Sequence, residues 1–255
     1  MTPLAGKRII LTGGSGGLGQ LVAAALVREG VDLTVMSRSR PAGATGASRH
    51  VAADLSTPDG IAAAATAVAG EEPDILINMA GVQYFGPAER QSFDALLSGY
   101  LINLVAPAEL CRACLPAMKR RNSGQIVNIG SILGSIAFAH FSAYSSAKAG
   151  LRAFSEALRR ELAGTAVGVT YVAPRAAKTA MLTPAIKKYA ELTGMTVDPP
   201  EIIADRIVAA IRRRRKDVYI GFPEQIFVRL NAVLPRLVDA AVAGTDRKAA
   251  GLFTV

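Results

Sequence analysis

Five glycines fall within Thr12-Gly13-Gly14-Ser15-Gly16-Gly17-Leu18-Gly19, between an apolar run, Ile9-Ile10-Leu11, and a helical stretch at residues 18–29. A second apolar run, at 33–36, follows. Glycines where a strand hands over to a helix let the backbone take positive φ and approach a ligand closely. The helix start then offers unpaired N–H groups and a partial positive charge, which suit a pyrophosphate. Alone, such a run is merely a turn. Inside a strand–helix–strand unit it points to a dinucleotide.

That unit opens a series. Strand-like runs recur at 74–77, 125–129, 167–172 and 218–220, with helical stretches at 57–69, 92–119, 142–162 and 200–213. Strands alternating with helices predict an α/β fold with a parallel sheet covered on both faces. Residues 38–49, rich in Pro, Gly and Ala, are expected to cross between strands two and three without a helix. No linker divides the chain, so the reading is one domain over 1–255, with a core at 7–222, a helical extension at 223–243 and a tail at 244–255. Ile226, Phe227, Leu230, Val233, Leu234, Leu237 and Val238 recur at helical spacing in the extension. It is expected to pack on the core or on a partner subunit. An interfacial membrane helix, with Arg229 and Arg236 as its cations, is the lesser alternative.

Composition narrows the classes. At 255 residues and 51% hydrophobic content the chain can bury a large core. It has no Trp and few aromatics, so it lacks stacking platforms and any recognisable reading motif for nucleic acid. The longest apolar run, at 61–70, is ten residues long, too short to span a bilayer. The start of the chain lacks a secretory pattern, and a cytoplasmic location is expected. Much of the +9 net charge sits in Lys119-Arg120-Arg121 and Arg212 to Lys216. Both follow helices, where cations complement the dipole, so a solvated basic rim is the first reading. An acidic carrier protein or an anionic membrane surface is the sharper one. Cys111 and Cys114 have C-x-x-C spacing but fall on a helix without a second pair or a nearby histidine. They read as ordinary thiols in a reducing compartment, and no metal site is expected.

Two further signals concern chemistry. The second strand ends in Ser37 and Arg38 where a carboxylate would bind the ribose hydroxyls of NAD(H). Ser37 and Arg38 suit a 2′-phosphate instead, so NADP(H) is expected over NAD(H). Tyr144 and Lys148 stand at i and i+4 on one helix face. A free phenol, with a pKa of about 10, is a poor acid–base group at neutral pH, and a nearby ammonium together with the positive nicotinamide ring of an oxidised cofactor favours its phenolate.

Together these motifs resemble the short-chain dehydrogenase/reductase family, in its compact single-domain branch, from about Lys7 to Ile220. The turn matches T-G-x-x-x-G-x-G, Asn78-Met79-Ala80-Gly81 looks like the family's N-x-A-G segment, and Ser131 lies thirteen residues before Tyr144. The resemblance implies a Rossmann-type, doubly wound, mostly seven-stranded parallel sheet, with the C-terminal helices as an addition. It implies catalysis by Asn103, Ser131, Tyr144 and Lys148. Tyr144 would move a proton to or from the substrate oxygen, Ser131 would hydrogen-bond that oxygen, and Lys148 would bind the nicotinamide ribose. Asn103 would hold a water leading to solvent. It further implies cofactor contacts from Gly13, Ser15, Gly16, Gly17, Leu18, Gly19, Ser37, Arg38, Asp54, Leu55, Asn78, Ala80, Gly81, Tyr144, Lys148, Pro174, Ala176 and Thr179. Ser135 reads as structural, Asn128 as a buried strand amide, and His50 and His140 have no assigned role.

The chain also departs from the family. Arg175 replaces the usual glycine after Pro174; it is read as pointing to solvent, with a cofactor phosphate or a substrate anion as the alternative contacts. Residues 179–197 correspond to the substrate loop, and Met181, Leu182, Ile186, Tyr189 and Leu192 suggest an apolar lid and a hydrophobic carbonyl compound rather than a sugar. Ketoacyl-carrier reductases of the family usually end in a Gly-rich strand that this chain lacks, which puts the associated tetramer in doubt. A dimer through the helices at 92–119 and 142–162 is expected. The leading function is NADPH-dependent reduction of a ketone or aldehyde. Reduction of 3-oxoacyl groups on a carrier protein or CoA is the near alternative. A cofactor-sensing regulator that lost turnover is the alternative from another class.

Overall fold

The computed structural model describes residues 2–40 and 46–253. Seven strands form one parallel sheet in the order β3-β2-β1-β4-β5-β6-β7. They are β1 (Arg8–Thr12), β2 (Asp32–Ser37), β3 (Arg49–Ala52), β4 (Ile75–Asn78), β5 (Gly124–Ile129), β6 (Val167–Pro174) and β7 (Asp217–Ile220). The chain winds outward from β1 through β2 to β3, then crosses back so that β4 lies beside β1. That reversal opens a crevice at the carboxyl ends of the strands, where ligands of such sheets bind.

Strand side chains alternate between two cores. Ile9, Leu11, Leu33, Val35 and Ile77 pack with Val22 and Leu26 of α1 (Gly17–Arg28) and with Ile203, Ile207 and Ile211 of α7 (Pro200–Arg212). Ile10, Met36, Leu76 and Ile126 face the opposite layer. That layer is α2 (Pro58–Glu71), α4 (Ala106–Arg120) and α5 (Ser142–Glu161). Each fully buried aliphatic side chain contributes about 1.5–3 kcal/mol, so two full layers fix the sheet. Cys111 and Cys114 belong to this second core as free thiols, and burial raises both thiol pKa values, to about 12 for Cys114.

Three elements differ from the sequence reading. The stretch at 92–119 is one rod with an irregular turn: α3 (Phe93–Tyr100) passes through a π-helical turn, Leu101–Val105, into α4. As assembled, Phe93–Arg120 is long and apolar enough to cross a membrane, which the run-by-run reading missed. Its Leu110, Cys111, Cys114 and Met118 are nevertheless core residues of the sheet layer. The substrate loop contains a helix, α6 (Pro184–Thr193), started by the Thr183 hydroxyl accepting from the Ile186 N–H and ended by Gly194 in the left-handed region. The C-terminal extension is two helices, α8 (Phe222–Val233) and α9 (Pro235–Ala250), because Pro235 cannot continue the first. Much of the expected tail is therefore helical. The crossing at 38–49 shows no helix in its described residues, and 41–45 lie outside them.

Candidate active site

The glycine turn sits at the crevice as the sequence reading placed it. Thr12 makes it possible from below: its hydroxyl accepts the N–H groups of Met79 and Ala80, at 2.9 and 3.1 Å, and so ties the end of β1 to the segment after β4. Gly13 has φ +74°, and a Cβ there would meet the Ala80 backbone at 2.7 Å. At Gly19 a Cβ would meet the Gly13 carbonyl at 2.1 Å, so the first turn of α1 presses on the loop itself. Gly16 and Gly17 show no such crowding, and they leave the backbone amides at the helix start open to the cleft. This is a cradle for a phosphate group.

A cleft of about 400 Å³ runs from this turn across the strand ends. It gathers Gly13, Ser15, Gly16, Gly17, Leu18, Gly19, Ser37, Arg38, Asp54, Leu55, Ala80 and Gly81 on one side. Ser131, Tyr144, Lys148, Pro174, Ala176 and Thr179 complete it. Asp54 caps its own turn, accepting from the Ser56 N–H and hydroxyl, and these hydrogen bonds lower its pKa. Ser37 is buried, and its hydroxyl donates to the Ser39 carbonyl at 2.9 Å. His50, left out of the sequence reading, stands 3.2 Å from the same hydroxyl. The proton of Ser37 is thus engaged within the protein, and Arg38, exposed at the cleft, carries the charge of this corner.

At the other end, Ser131 follows β5 and opens a short 3-10 turn, Ile132–Gly134. Its oxygen accepts the Leu133 N–H at 3.1 Å, which leaves its own O–H free to donate. Tyr144 and Lys148 come from the first two turns of α5. The Lys148 ammonium is buried, lies 5.8 Å from the centre of the Tyr144 ring and donates to the Ile129 carbonyl at 3.0 Å. Burial pushes Tyr144 up to about 12, against a smaller downward pull from Ser131. Burial also takes Lys148 down to about 8. In the protein alone desolvation dominates and favours the neutral phenol, the proton-donating form; the expected lowering concerns the ammonium acting together with an oxidised nicotinamide ring.

Two predicted residues stand off the cleft surface. Asn103 is buried on the π-helical turn, its amide donating to the Val82 and Gly99 carbonyls at 2.8 and 2.9 Å. Its Oδ1 has no partner among the described residues. A Cβ added to Gly81 would lie 3.0 Å from that oxygen and 3.5 Å from Lys148 Nζ, so the orphaned acceptor and the ammonium flank one backbone position. Asn78 goes elsewhere. Its amide donates to Asn128 Oδ1 at 2.9 Å and approaches Cys111, and Asn128 in turn donates to Ser155. This buried chain braces β4, β5 and the helices beneath, so Asn78 supports the floor rather than lining it.

Arg175 needs a correction. It does not point to solvent: Asp198 and Glu224 both pair with its guanidinium, and its side chain is 18% exposed. The sequence reading also missed Val82, Gln83, Phe141 and Met195, which line the cleft from connecting segments, and Ile102 and Leu133, which line it from the π-helical and 3-10 turns. Apart from Gln83, only their apolar character hinted at this. Met181, Leu182 and Ile186 do line it, whereas Tyr189 is buried behind and Leu192 faces out.

Residues 7–190 match the short chain dehydrogenase family. The ketoacyl reductase HetN of Nostoc sp. is 34% identical over 245 residues, spanning 87% of this chain and 80% of its own. Dehydrogenase/reductase SDR family member 7B of Bos taurus is 31% identical, covering 94% of this chain and 81% of its own. Among solved structures, a short-chain dehydrogenase from Streptomyces avermitilis superposes with a TM-score of 0.78 at 26% identity, over 96% and 98% of the two chains. One from Burkholderia cenocepacia in complex with NADP gives 0.78 at 25% identity, over 95% and 99%. Sheet order, glycine cradle and these likenesses agree: the chain belongs to the short-chain dehydrogenase/reductase family of NAD(P)-binding oxidoreductases.

Proposed function

We propose that the chain is an NADPH-dependent reductase of hydrophobic ketones or aldehydes. The observation that carries this reading is one cleft floor holding the Ser131 hydroxyl, the Tyr144 phenol hydrogen-bonded to it and the Lys148 ammonium under a lid of Met181, Leu182, Ile186 and Met195. A bound nicotinamide dinucleotide supplies the hydride. The protein's part is to hold the carbonyl oxygen between Ser131 and Tyr144 and to give it the phenolic proton. Lys148, anchored on the Ile129 carbonyl, keeps donors for the ribose hydroxyls, and the Asn103 oxygen beside it is placed to hold a water that returns the proton. The apolar lid excludes bulk water, which strengthens each of these contacts.

Preference for NADP(H) is supported by Arg38 at the cleft, by the lack of a carboxylate at the end of β2, and by the NADP held by the Burkholderia cenocepacia relative. A 3-oxoacyl thioester is the second reading, favoured by the name of the Nostoc relative. Part of the basic surface that would attract an acidic carrier is already engaged: Arg120 pairs with Glu72, Arg121 donates to the Glu72 and Pro73 carbonyls, and Arg214 caps the Gly124 and Ala166 carbonyls. Phe93, Leu97 and Val105 are exposed along the α3–α4 rod and support a homodimer through it. The proposed compartment is the cytoplasm, in keeping with two unpaired thiols.

The test is NADPH oxidation against a panel of ketones, aldehydes and acyl thioesters, with Tyr144→Phe as control. Turnover of apolar ketones with loss in the variant supports the reading. Preference for thioesters selects the second. Tight NADPH binding with no turnover on any carbonyl replaces both with a cofactor-sensing regulator.

A further inference from the structure

The segment that covers the cleft follows β6 and is closed at its base by Ala177 and Asp198, which form an isolated parallel bridge outside the sheet. Asp198 N–H donates to the Ala176 carbonyl at 2.8 Å, and Lys178 N–H to the Asp198 carbonyl at 3.0 Å. The base of the lid is thus a closed ring of backbone. Arg175 stands directly under it. Its Nε and one terminal nitrogen grip the Asp198 carboxylate at 2.8 and 2.7 Å, while the other terminal nitrogen reaches both Glu224 oxygens at 3.1 Å. Asp198 and Glu224 are themselves largely buried, at 14% and 20% side-chain exposure.

Glu224 belongs to the first turn of α8 and, like Asp198, lies beyond residues 7–190 that match the family model. Gly221, just before it, has φ +128°, and a Cβ there would meet Glu224 Oε2 at 2.4 Å and Arg175 Cδ at 3.0 Å. The ion pair lies flush on that α-carbon, so the residue between β7 and α8 is the one type that leaves room for it. On the far side of the cleft the lid has a lighter fastening: Gln83 Nε2 donates to the Met181 carbonyl at 2.6 Å. Base and tip are therefore held by different means.

We propose that Arg175 is a positioning residue: with Asp198 and Glu224 it clamps the base of the lid at 177–198 to the C-terminal helices and sets how that lid closes over the cleft. Arg175 lines the cleft, but its half-buried guanidinium faces two carboxylates that already balance its charge, so it acts through the lid rather than as a ligand for a cofactor phosphate. Tyr144, Ser131 and Lys148 are anchored on β5 and α5, away from the clamp, so its loss acts on binding before it acts on chemistry.

The decisive variant is Glu224→Gln, which keeps volume and removes one charge; Arg175→Ala and Arg175→Lys accompany it. Trypsin reads the lid directly, because Lys187 and Lys188 are exposed on α6. Glu224→Gln is expected to speed cleavage there about five-fold or more at an unchanged melting temperature, since local opening rather than global unfolding exposes the site. KM for an accepted carbonyl should rise by about the same factor with kcat within about two-fold, and Arg175→Lys should recover part of what Arg175→Ala loses. Unchanged cleavage and unchanged KM in Glu224→Gln would overturn the clamp. Tighter NADPH binding in that variant would also overturn it, by showing an arginine freed to bind phosphate. The kinetic arm rests on the proposed reductase activity. The trypsin arm does not, so an enzyme that reduces none of the carbonyls still shows whether the clamp holds the lid.

Discussion

The two rims of the cleft are built by different means. The glycine rim is fixed by its own backbone: Gly13 N–H donates to the Met36 carbonyl at 2.9 Å, and Gly19 leaves no space above the Gly13 carbonyl. The opposite rim is held by side chains from distant parts of the chain, Arg175 reaching Asp198 and Glu224, and Gln83 reaching Met181. Backbone packed on backbone admits no further atom and has one arrangement. Ion pairs and a single amide can be released and remade. The first construction suits the part of a ligand that never changes, and the second suits the part that must enter, be recognised and leave.

The sharpest way to separate the rims is to disable the floor between them. Tyr144→Phe removes the proton and moves neither rim, so kcat should fall by about 10²–10⁴ while NADPH affinity holds. Stopped-flow NADPH oxidation measures it, and a loss confined to KM would mean that Tyr144 belongs to a rim. Next in size is the burial of Lys148. Its pKa is about 8 in the folded protein, against an ordinary value of 10.5. The folded state therefore binds fewer protons than the unfolded state between those values, and stability from this group grows as pH rises through the window. The contribution is present above 10.5 and lost as pH falls through 8. It is on the order of 3 kcal/mol. Urea denaturation from pH 7 to 10 should show wild type gaining on Lys148→Met; parallel curves would refute the burial argument.

Gly19→Ala probes the rigid rim. A methyl aimed at a carbonyl should cost about 1–3 kcal/mol and weaken cofactor binding, read by melting and by NADPH fluorescence titration. A tolerated methyl would show this rim to be as pliable as the other. The smallest expected effect lies at its outer corner. Arg38→Asp should move the NADPH-to-NADH ratio of kcat/KM by about ten-fold or more toward NADH, since a carboxylate repels the 2′-phosphate and accepts from the ribose. An unchanged ratio would assign the corner to His50 and Ser37 instead.

This contrast also explains what the sequence revealed. The glycine rim is written in consecutive residues, because local backbone demands select residue types at fixed offsets. Tyr144 and Lys148 are legible for the same reason, being one helical turn apart. Arg175 was misread because its partners lie 23 and 49 residues onward, and nothing local announces either. Asn78 was legible as a motif but not as a brace, since its partners Asn128 and Cys111 come from another strand and a helix. Helix α6 had its signals in plain view, Thr183-Pro184 before and Gly194 after, yet apolar residues spaced as a lid read equally well without a helix. At Pro235 a continuous apolar stripe hid the break between α8 and α9.

The irregular turn at Leu101–Val105 has a consequence of its own. Each residue of an α-helix advances the face by about 100°, so one surplus residue re-phases everything on one side against everything on the other. Below the turn, Leu110, Cys111, Cys114 and Met118 can lie on the sheet while Asn103 is aimed toward Lys148. The aim of that amide is thus stored as a count of residues. Deleting any one of the other four residues of the turn would restore a regular α-helix and turn Asn103 away from Lys148.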